Sequence, residues 1–201
     1  MKEEKDYSRD IAEIRSMMER SSKFLSLSGW AGIMAGMYAL AGAYIAYSFY
    51  NFNPDEIFYS SPDLSQVIIL ALLVLVLALI TALYSSRMKA DNDGEKAWNA
   101  TSRRLLASMA VPLVTGGILI LILISKGLIG LIIPMTLLFY GLSLYNAGKF
   151  TIDEVKFMGM AQILLGLLSF LFIEYSLIFW AGGFGVVHMI YGMYMYIRFE
   201  R

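Results

Sequence analysis

The stretch YSLIFWAGGFGVVHMIYGMYMYI, residues 175–197, contains no aspartate, glutamate, lysine or arginine. As an α-helix its 23 residues would measure roughly 34 Å, enough to cross the hydrocarbon core of a bilayer. It also contains the single histidine of the chain, His188, and a glycine cluster at positions 182, 183 and 185. This pattern predicts a membrane-spanning helix.

Five more apolar runs precede this one, so the sequence predicts an all-α bundle of six membrane helices. The predicted spans are residues 27–50, 64–84, 105–125, 127–148, 157–173 and 175–197. Only Lys126 separates the third span from the fourth, and only Glu174 separates the fifth from the sixth. A single helix across residues 105–148 would measure about 66 Å, twice a membrane, so each of these pairs must be a tight hairpin.

The composition agrees with a membrane protein and excludes several classes of site. Of 201 residues, 58% are hydrophobic and 16% are charged, whereas about 25% is usual for the charged share. The net charge is zero, so no nucleic-acid partner is expected. The absence of cysteine excludes disulfides, thiolate metal sites and cysteine nucleophiles.

The distribution of basic residues predicts the orientation. All lysines and arginines except Lys126 fall in the N-terminal segment, the 85–104 and 149–156 connections and the C-terminus. By the positive-inside rule, both termini are expected in the cytoplasm. Lys126 and Glu174 then lie at turns on the opposite side. They would pair if their hairpins are neighbours, or each would extend to the headgroups alone.

The N-terminal segment differs from the rest of the chain because it is rich in charged residues. Residues 1–26 are predicted to form a cytoplasmic amphipathic helix, and residues 27–201 the six-helix transmembrane domain. Tyr7, Ile11, Ile14 and Met18 form a heptad seam. The helix would rest on the membrane surface or the end of the bundle, or it would dock a partner or a second copy of the chain.

Two internal repeats fit the pattern. One consists of three similar hairpins. The other consists of two inverted halves in which the third span corresponds to the sixth, each interrupted by small residues near mid-membrane. Interrupted spans at matching positions are typical of transporter sites. They predict a ligand site between the first, third and sixth spans, with these candidate residues: His188, Gln162, Thr115, Gly116, Gly183 and Tyr191.

Gln162 and His188 are predicted to meet in the interior. Counted from the Glu174 turn, they lie about 18 and 21 Å deep, which is nearly the same level. Gln162 shares a helix face with the small residues Gly159, Gly166 and Ser169, and small faces turn inward. The pair would be bonded directly or through one water or ligand. Whether His188 is functional or structural stays open.

Two kinds of chemistry could involve His188, and the sequence favours neither. Methionines beside His188 suggest copper or haem, but one histidine cannot form a bis-histidine haem site, so no metal or cofactor is predicted. Ser143 of the fourth span with His188 of the sixth resembles the plan of rhomboid proteases. Leu144 replaces the second glycine of their motif, and the two side chains differ in depth.

The runs MERSSKFLSLSGWAGIMAGMYALAGAYIAY, residues 18–47, and GFGVVHMIYG, residues 183–192, resemble a family of uncharacterised bacterial six-span membrane proteins. The resemblance covers nearly the whole chain. It implies a bacterial inner-membrane protein and brings no known activity or catalytic residue.

The function expected first is therefore that of a non-enzymatic scaffold or partner-binding membrane protein. The alternative is a small transporter or binder of a lipophilic or small polar ligand. An enzyme comes third.

Overall fold

The computed structural model describes residues 27–92, 94 and 97–200, except the side chain of Phe199, and this part of the chain is helical without strands. The helices are α1 (Gly29–Tyr50), α2 (Leu64–Asn92), α3 (Ala100–Ser125), α4 (Ile132–Ala147), α5 (Glu154–Leu171), α6 (Ser176–Trp180) and α7 (His188–Phe199). A π-helix, Ala181–Val187, joins α6 to α7, and together they form the sixth span. Six helices are long and apolar enough to cross a membrane, which indicates a multi-pass membrane protein.

Two helices extend further than predicted because their polar residues continue the helix. α2 runs eight residues beyond the predicted end at Tyr84, and α3 begins at Ala100 where residue 105 was expected. Asn99 explains the early start of α3: its side chain accepts a hydrogen bond from the Ser102 N–H, and the Asn99 backbone N–H donates to the Ser102 hydroxyl oxygen. The predicted 1–26 helix lies outside the described residues.

The spans pack in two groups that meet at the sixth. α1 lies between α2 and the α6–α7 span, whereas α4 lies between α3 and α5. The sixth span joins the groups because α6 and the π-helix also contact α5, and α6 contacts α4. α2 packs mainly along α1 and α3 mainly along α4, and the two make no extensive contact with each other.

Glycine permits the close crossing of α1 and α7. A methyl group added at Gly32 would lie 3.0 Å from the Cα of Gly192, and one added at Gly36 would lie 2.6 Å from the carbonyl oxygen of Gly185. A helix with larger side chains could not approach so closely. Gly32 and Gly36 of the first span therefore pack directly on the sixth span.

One side of the bundle, which we call the loop face, carries residues 51–63 and the turns at 126–131 and 172–175. Phe52 and Pro54 are buried there, and the Gly130 N–H donates to the Ile57 carbonyl at 3.1 Å. Lys126 and Glu174 are both exposed, and no ion pair joins them in the described part of the chain. The two charges extend separately from their turns.

The opposite side, which we call the terminal face, carries the ends of the described chain and is held by a partly buried ionic contact. The Glu200 carboxylate accepts hydrogen bonds from the Gly29 N–H at 2.7 Å and from Lys89 Nζ at 3.3 Å. Lys89 Nζ also donates to the Leu27 carbonyl at 2.8 Å. The Lys89 and Glu200 side chains are only 13% and 14% exposed. This clasp, formed by Lys89, Glu200 and the backbone of Leu27 and Gly29, joins α1, α2 and α7.

The expected interruption of the third span is absent. α3 continues as one α-helix through Pro112, Gly116 and Gly117. Pro112 is accommodated because a helix in a bundle can satisfy the freed carbonyl locally. The sixth span alone carries a break, the π-helix, so the two spans do not match in this respect.

Candidate functional site

The π-helix places His188 in the interior of the bundle. Its wider turn disturbs the α-helical ladder and makes a backbone carbonyl accessible to side chains. Here that carbonyl belongs to Gly183, and His188 Nδ1 lies 2.9 Å from its oxygen. His188 is buried, with 7% of its surface exposed.

Gln162 reaches the same carbonyl from α5. Its Nε2 donates to the Gly183 oxygen at 2.8 Å and lies 3.5 Å from His188 Nδ1. The side chain is fully buried. The predicted meeting of Gln162 and His188 in the interior is confirmed. The two side chains share the Gly183 carbonyl as an acceptor, whereas a direct bond or a link through one water or ligand was predicted.

Tyr140 of α4 occupies the other ring nitrogen of His188. Its hydroxyl lies 2.9 Å from Nε2. The Gly183 carbonyl can only accept, so we assign the ring proton to Nδ1, and the Tyr140 O–H then donates to Nε2. We call Tyr140, Gln162, Gly183 and His188 the polar cluster. It connects three spans through hydrogen bonds inside an apolar core.

Aromatic rings enclose the polar cluster on one side. Phe184 stacks on His188 with ring centroids 5.7 Å apart and lies 5.0 Å from the Tyr140 ring. Trp180 extends the stack at 5.1 Å from Phe184. Rings at these separations attract each other and shield the hydrogen bonds from competing groups.

Gly183 is required at its position by close approach. A methyl group added there would lie 2.6 Å from Leu137 Cδ2 and would collide with Gln162 Oε1. A larger residue would therefore push Gln162 off the carbonyl that it shares with His188.

Three buried polar atoms lack a partner in the described part of the chain: Gln162 Oε1, Ser169 Oγ and Tyr191 Oη. Ser169 follows Gln162 on the same α5 face, and Tyr191 lies one turn after His188 on α7. Leaving a polar atom unpaired in a core costs about 1–3 kcal/mol. Gln162 Oε1 and Tyr191 Oη thus provide unused hydrogen-bonding capacity beside His188, whereas Ser169 lies about two turns from Gln162 along α5.

The predicted site residues divide between two places. His188, Gln162 and Gly183 come together in the polar cluster, and Tyr191 is partly buried in the adjoining core. Thr115 and Gly116 do not join them, because Thr115 is exposed and Gly116 packs against the Phe139 ring of α4. The partners of His188 come from α4 and α5: Gln162 of the fifth span was predicted, whereas Tyr140 of the fourth span was not.

Tyr140 is not among the site residues predicted from the sequence. The available signal was its depth: Tyr140 lies at the middle of α4, whereas membrane tyrosines usually lie at the interface. A phenol at mid-span needs a buried partner, and His188 provides it.

Ser143 does not pair with His188. It is fully buried, and its hydroxyl donates to the Met109 carbonyl at 3.3 Å, while Tyr140 holds the ring nitrogen that a nucleophile would need. The described residues contain no group of three or more histidine, aspartate and glutamate side chains that could hold a metal ion.

Comparison of the chain with protein-family models, with curated proteins and with solved structures found no match. The resemblance to an uncharacterised bacterial family stays a prediction.

Proposed function

We propose that this chain is a non-enzymatic membrane scaffold that presents its N-terminal segment to a partner or to a second copy of itself. The observation that supports this proposal is the clasp. It fixes Leu27 and Gly29, where the N-terminal segment meets the first span, against two other spans. A segment held at its base has fewer conformations to lose on binding than a free tail.

The interior of the bundle is consistent with a scaffold. Both ring nitrogens of His188 are engaged by groups of the protein, and glycine contacts hold α1 firmly against α7. A ligand at His188 would have to displace the Tyr140 hydroxyl or the Gly183 carbonyl. Recognition is therefore assigned to the N-terminal seam of Tyr7, Ile11, Ile14 and Met18, which lies outside the described residues.

We also propose that the protein lies in a bacterial inner membrane, as the family resemblance implies, and that both termini are cytoplasmic, as the distribution of lysine and arginine predicts. The terminal face is then cytoplasmic. Reporters fused after Arg201 and within the 51–63 loop test this orientation. A reporter that functions only outside the cytoplasm should be inactive after Arg201 and active in the loop, and the reverse pattern would reject the proposal.

Photo-crosslinking tests the proposed interface. A photoreactive residue at Ile14, on the seam, should give a discrete cross-linked product in cells. The same residue at Ser16, off the seam, is the matched control and should give little. Mass spectrometry of the product then distinguishes a second copy from another protein. Equal or absent cross-linking at both positions would rule out docking through this seam.

The unpaired atoms near the polar cluster favour a second candidate function, the binding of a small polar ligand in the interior. Gln162 Oε1 and Tyr191 Oη would supply an acceptor and a hydroxyl. The adjoining π-helix supports this candidate because such distortions are frequent at functional sites. The site would lie among α4, α5 and the sixth span.

Because His188 is the single histidine of the chain, its reactivity distinguishes the two candidates. Diethyl pyrocarbonate produces an absorbance increase specific to imidazole. If the interior is closed, as expected for a scaffold, His188 should react with diethyl pyrocarbonate only after the protein has been unfolded in detergent. A ligand-binding interior should admit the reagent in intact membranes, and Tyr191→Phe should alter that rate without affecting the unfolded control.

A further inference from the structure

A cavity of about 410 Å³ lies on the terminal face, where α2 ends and α3 begins. Arg87, Asp91, Ala97 and Trp98 line it. Its volume lies within the range of about 300–1,000 Å³ that is typical of small-molecule sites. Trp98 is 67% exposed, which is high for a large aromatic side chain.

The charged groups around the cavity are uncommitted. The Arg87 guanidinium forms no hydrogen bond or ion pair with the described residues, although Asp91 lies one turn further along the same helix. Arg103 and Arg104 are exposed near the start of α3, whose first turn contains no acidic residue. These arginines oppose the positive end of the helix dipole, so an anion nearby would stabilise the arrangement. Across residues 87–104 the sequence has five basic and three acidic side chains, so this connection carries a net charge of +2.

The arginines lie at the level of lipid phosphates. From Leu64 to Arg87, α2 rises about 34 Å, slightly more than the roughly 30 Å hydrocarbon core. On α3, Arg104 directly precedes the apolar run that begins at Leu105. Trp98 also suits this level because indole rings favour the membrane interface.

Apolar surface lies on the membrane side of the cavity. Ile80 and Leu83 of α2 are 58% and 71% exposed, and Leu106 of α3 is 47% exposed. Since α2 and α3 pack along different neighbours, these faces are not covered by each other. The corner therefore combines phosphate-binding groups with surface suited to acyl chains.

We propose that this corner binds an anionic phospholipid of the adjacent leaflet. Arg87 would hold the phosphate through two parallel N–H donors, a geometry that guanidinium provides and lysine does not. Trp98 would pack on the glycerol region of the lipid, while Arg103 and Arg104 would attract its anionic headgroup electrostatically. The Asp91 carboxylate would accept a headgroup hydroxyl, which favours phosphatidylglycerol over headgroups without hydroxyls.

Tryptophan quenching tests this site. The replacements Trp30→Phe and Trp180→Phe leave Trp98 as the single tryptophan. In phosphatidylcholine vesicles, brominated phosphatidylglycerol should quench Trp98 more strongly than brominated phosphatidylcholine at equal mole fraction. Attraction by one arginine corresponds to about fivefold local enrichment. Arg87→Gln should abolish this preference, and Arg87→Lys should retain part of it.

Lys126→Gln removes the lone basic residue at the loop-face turns and is the matched control, so it should leave the preference unchanged. Equal quenching by the two lipids, or an unchanged preference in Arg87→Gln, would overturn the proposal. Adding inorganic phosphate provides a further test. If phosphate removed the stronger quenching by brominated phosphatidylglycerol, the site would bind free anions instead of the lipid.

Native mass spectrometry provides a second measurement on the unaltered chain, in case the tryptophan replacements disturb folding. The protein should retain phosphatidylglycerol at collision energies that remove phosphatidylcholine. Arg87→Gln should lose that difference while Lys126→Gln keeps it. Loss of both lipids at the same energy from the unaltered chain would contradict a specific site.

Discussion

Replacing Tyr140 with phenylalanine would remove one hydroxyl from the polar cluster and keep the ring that stacks beside Phe184. The lost hydrogen bond is 2.9 Å long and leaves His188 Nε2 unpaired in a buried position. An unpaired buried acceptor costs about 1–3 kcal/mol, whereas side-chain hydrogen bonds in membrane proteins average about 0.6 and reach about 1.7 kcal/mol. We therefore expect Tyr140→Phe to lower the free energy of unfolding by about 1–2 kcal/mol.

A double-mutant cycle isolates the bond from other effects of the substitution. His188→Phe removes the acceptor and keeps an aromatic ring, and the coupling with Tyr140→Phe should be about 1 kcal/mol, near a fivefold change in the unfolding equilibrium. Unfolding by sodium dodecyl sulfate from mixed micelles, followed by near-ultraviolet circular dichroism, measures each variant. Tyr44→Phe is the matched control, because Tyr44 is 67% exposed and should change stability by less than about 0.5 kcal/mol. A coupling near zero would show that Tyr140 does not hold the imidazole.

Three further predictions use the same unfolding assay. Gly36→Ala should destabilise the bundle by about 1–3 kcal/mol because the methyl group meets the backbone of the sixth span, whereas Gly182→Ala, which meets no atom within 4 Å, should be nearly neutral. Lys89→Met should cost about 1–3 kcal/mol because it leaves the carboxylate of the clasp without its cation. Lys156→Met, which breaks an exposed pair, should cost at most about 1 kcal/mol. Ser169→Ala should not destabilise the protein, because the buried hydroxyl has no partner in the described residues. Reversal of either matched comparison, or a clear loss of stability in Ser169→Ala, would contradict the packing described here.

The number of spans could be predicted because the bilayer imposes a fixed length on apolar helices. Runs of about twenty uncharged residues separated by single charges permit one arrangement of hairpins. The ends of α2 and α3 could not be predicted in this way, since helices continue into polar sequence wherever a cap such as Asn99 permits.

The interior pair could be predicted in part. Depth along each helix follows from a constant rise per residue, so Gln162 and His188 could be placed at one level before their neighbours were known. The rotation of each span and its partners depend on packing, which hydropathy does not encode. For this reason the sequence could not show that Thr115 faces away from the interior, or that Tyr140 turns toward His188.

The sequence by itself determined the six spans and the burial of His188, because each follows from local composition and helix geometry. Only the tertiary structure decided that the His188 ring lies between the Gly183 carbonyl and the Tyr140 hydroxyl, and that Glu200 closes against Lys89 across 111 positions of chain. These contacts join residues distant in sequence. Their partners are selected by how the helices pack, and in a membrane that packing depends on close fit and hydrogen bonding, since lipid removes the hydrophobic difference between one apolar face and another.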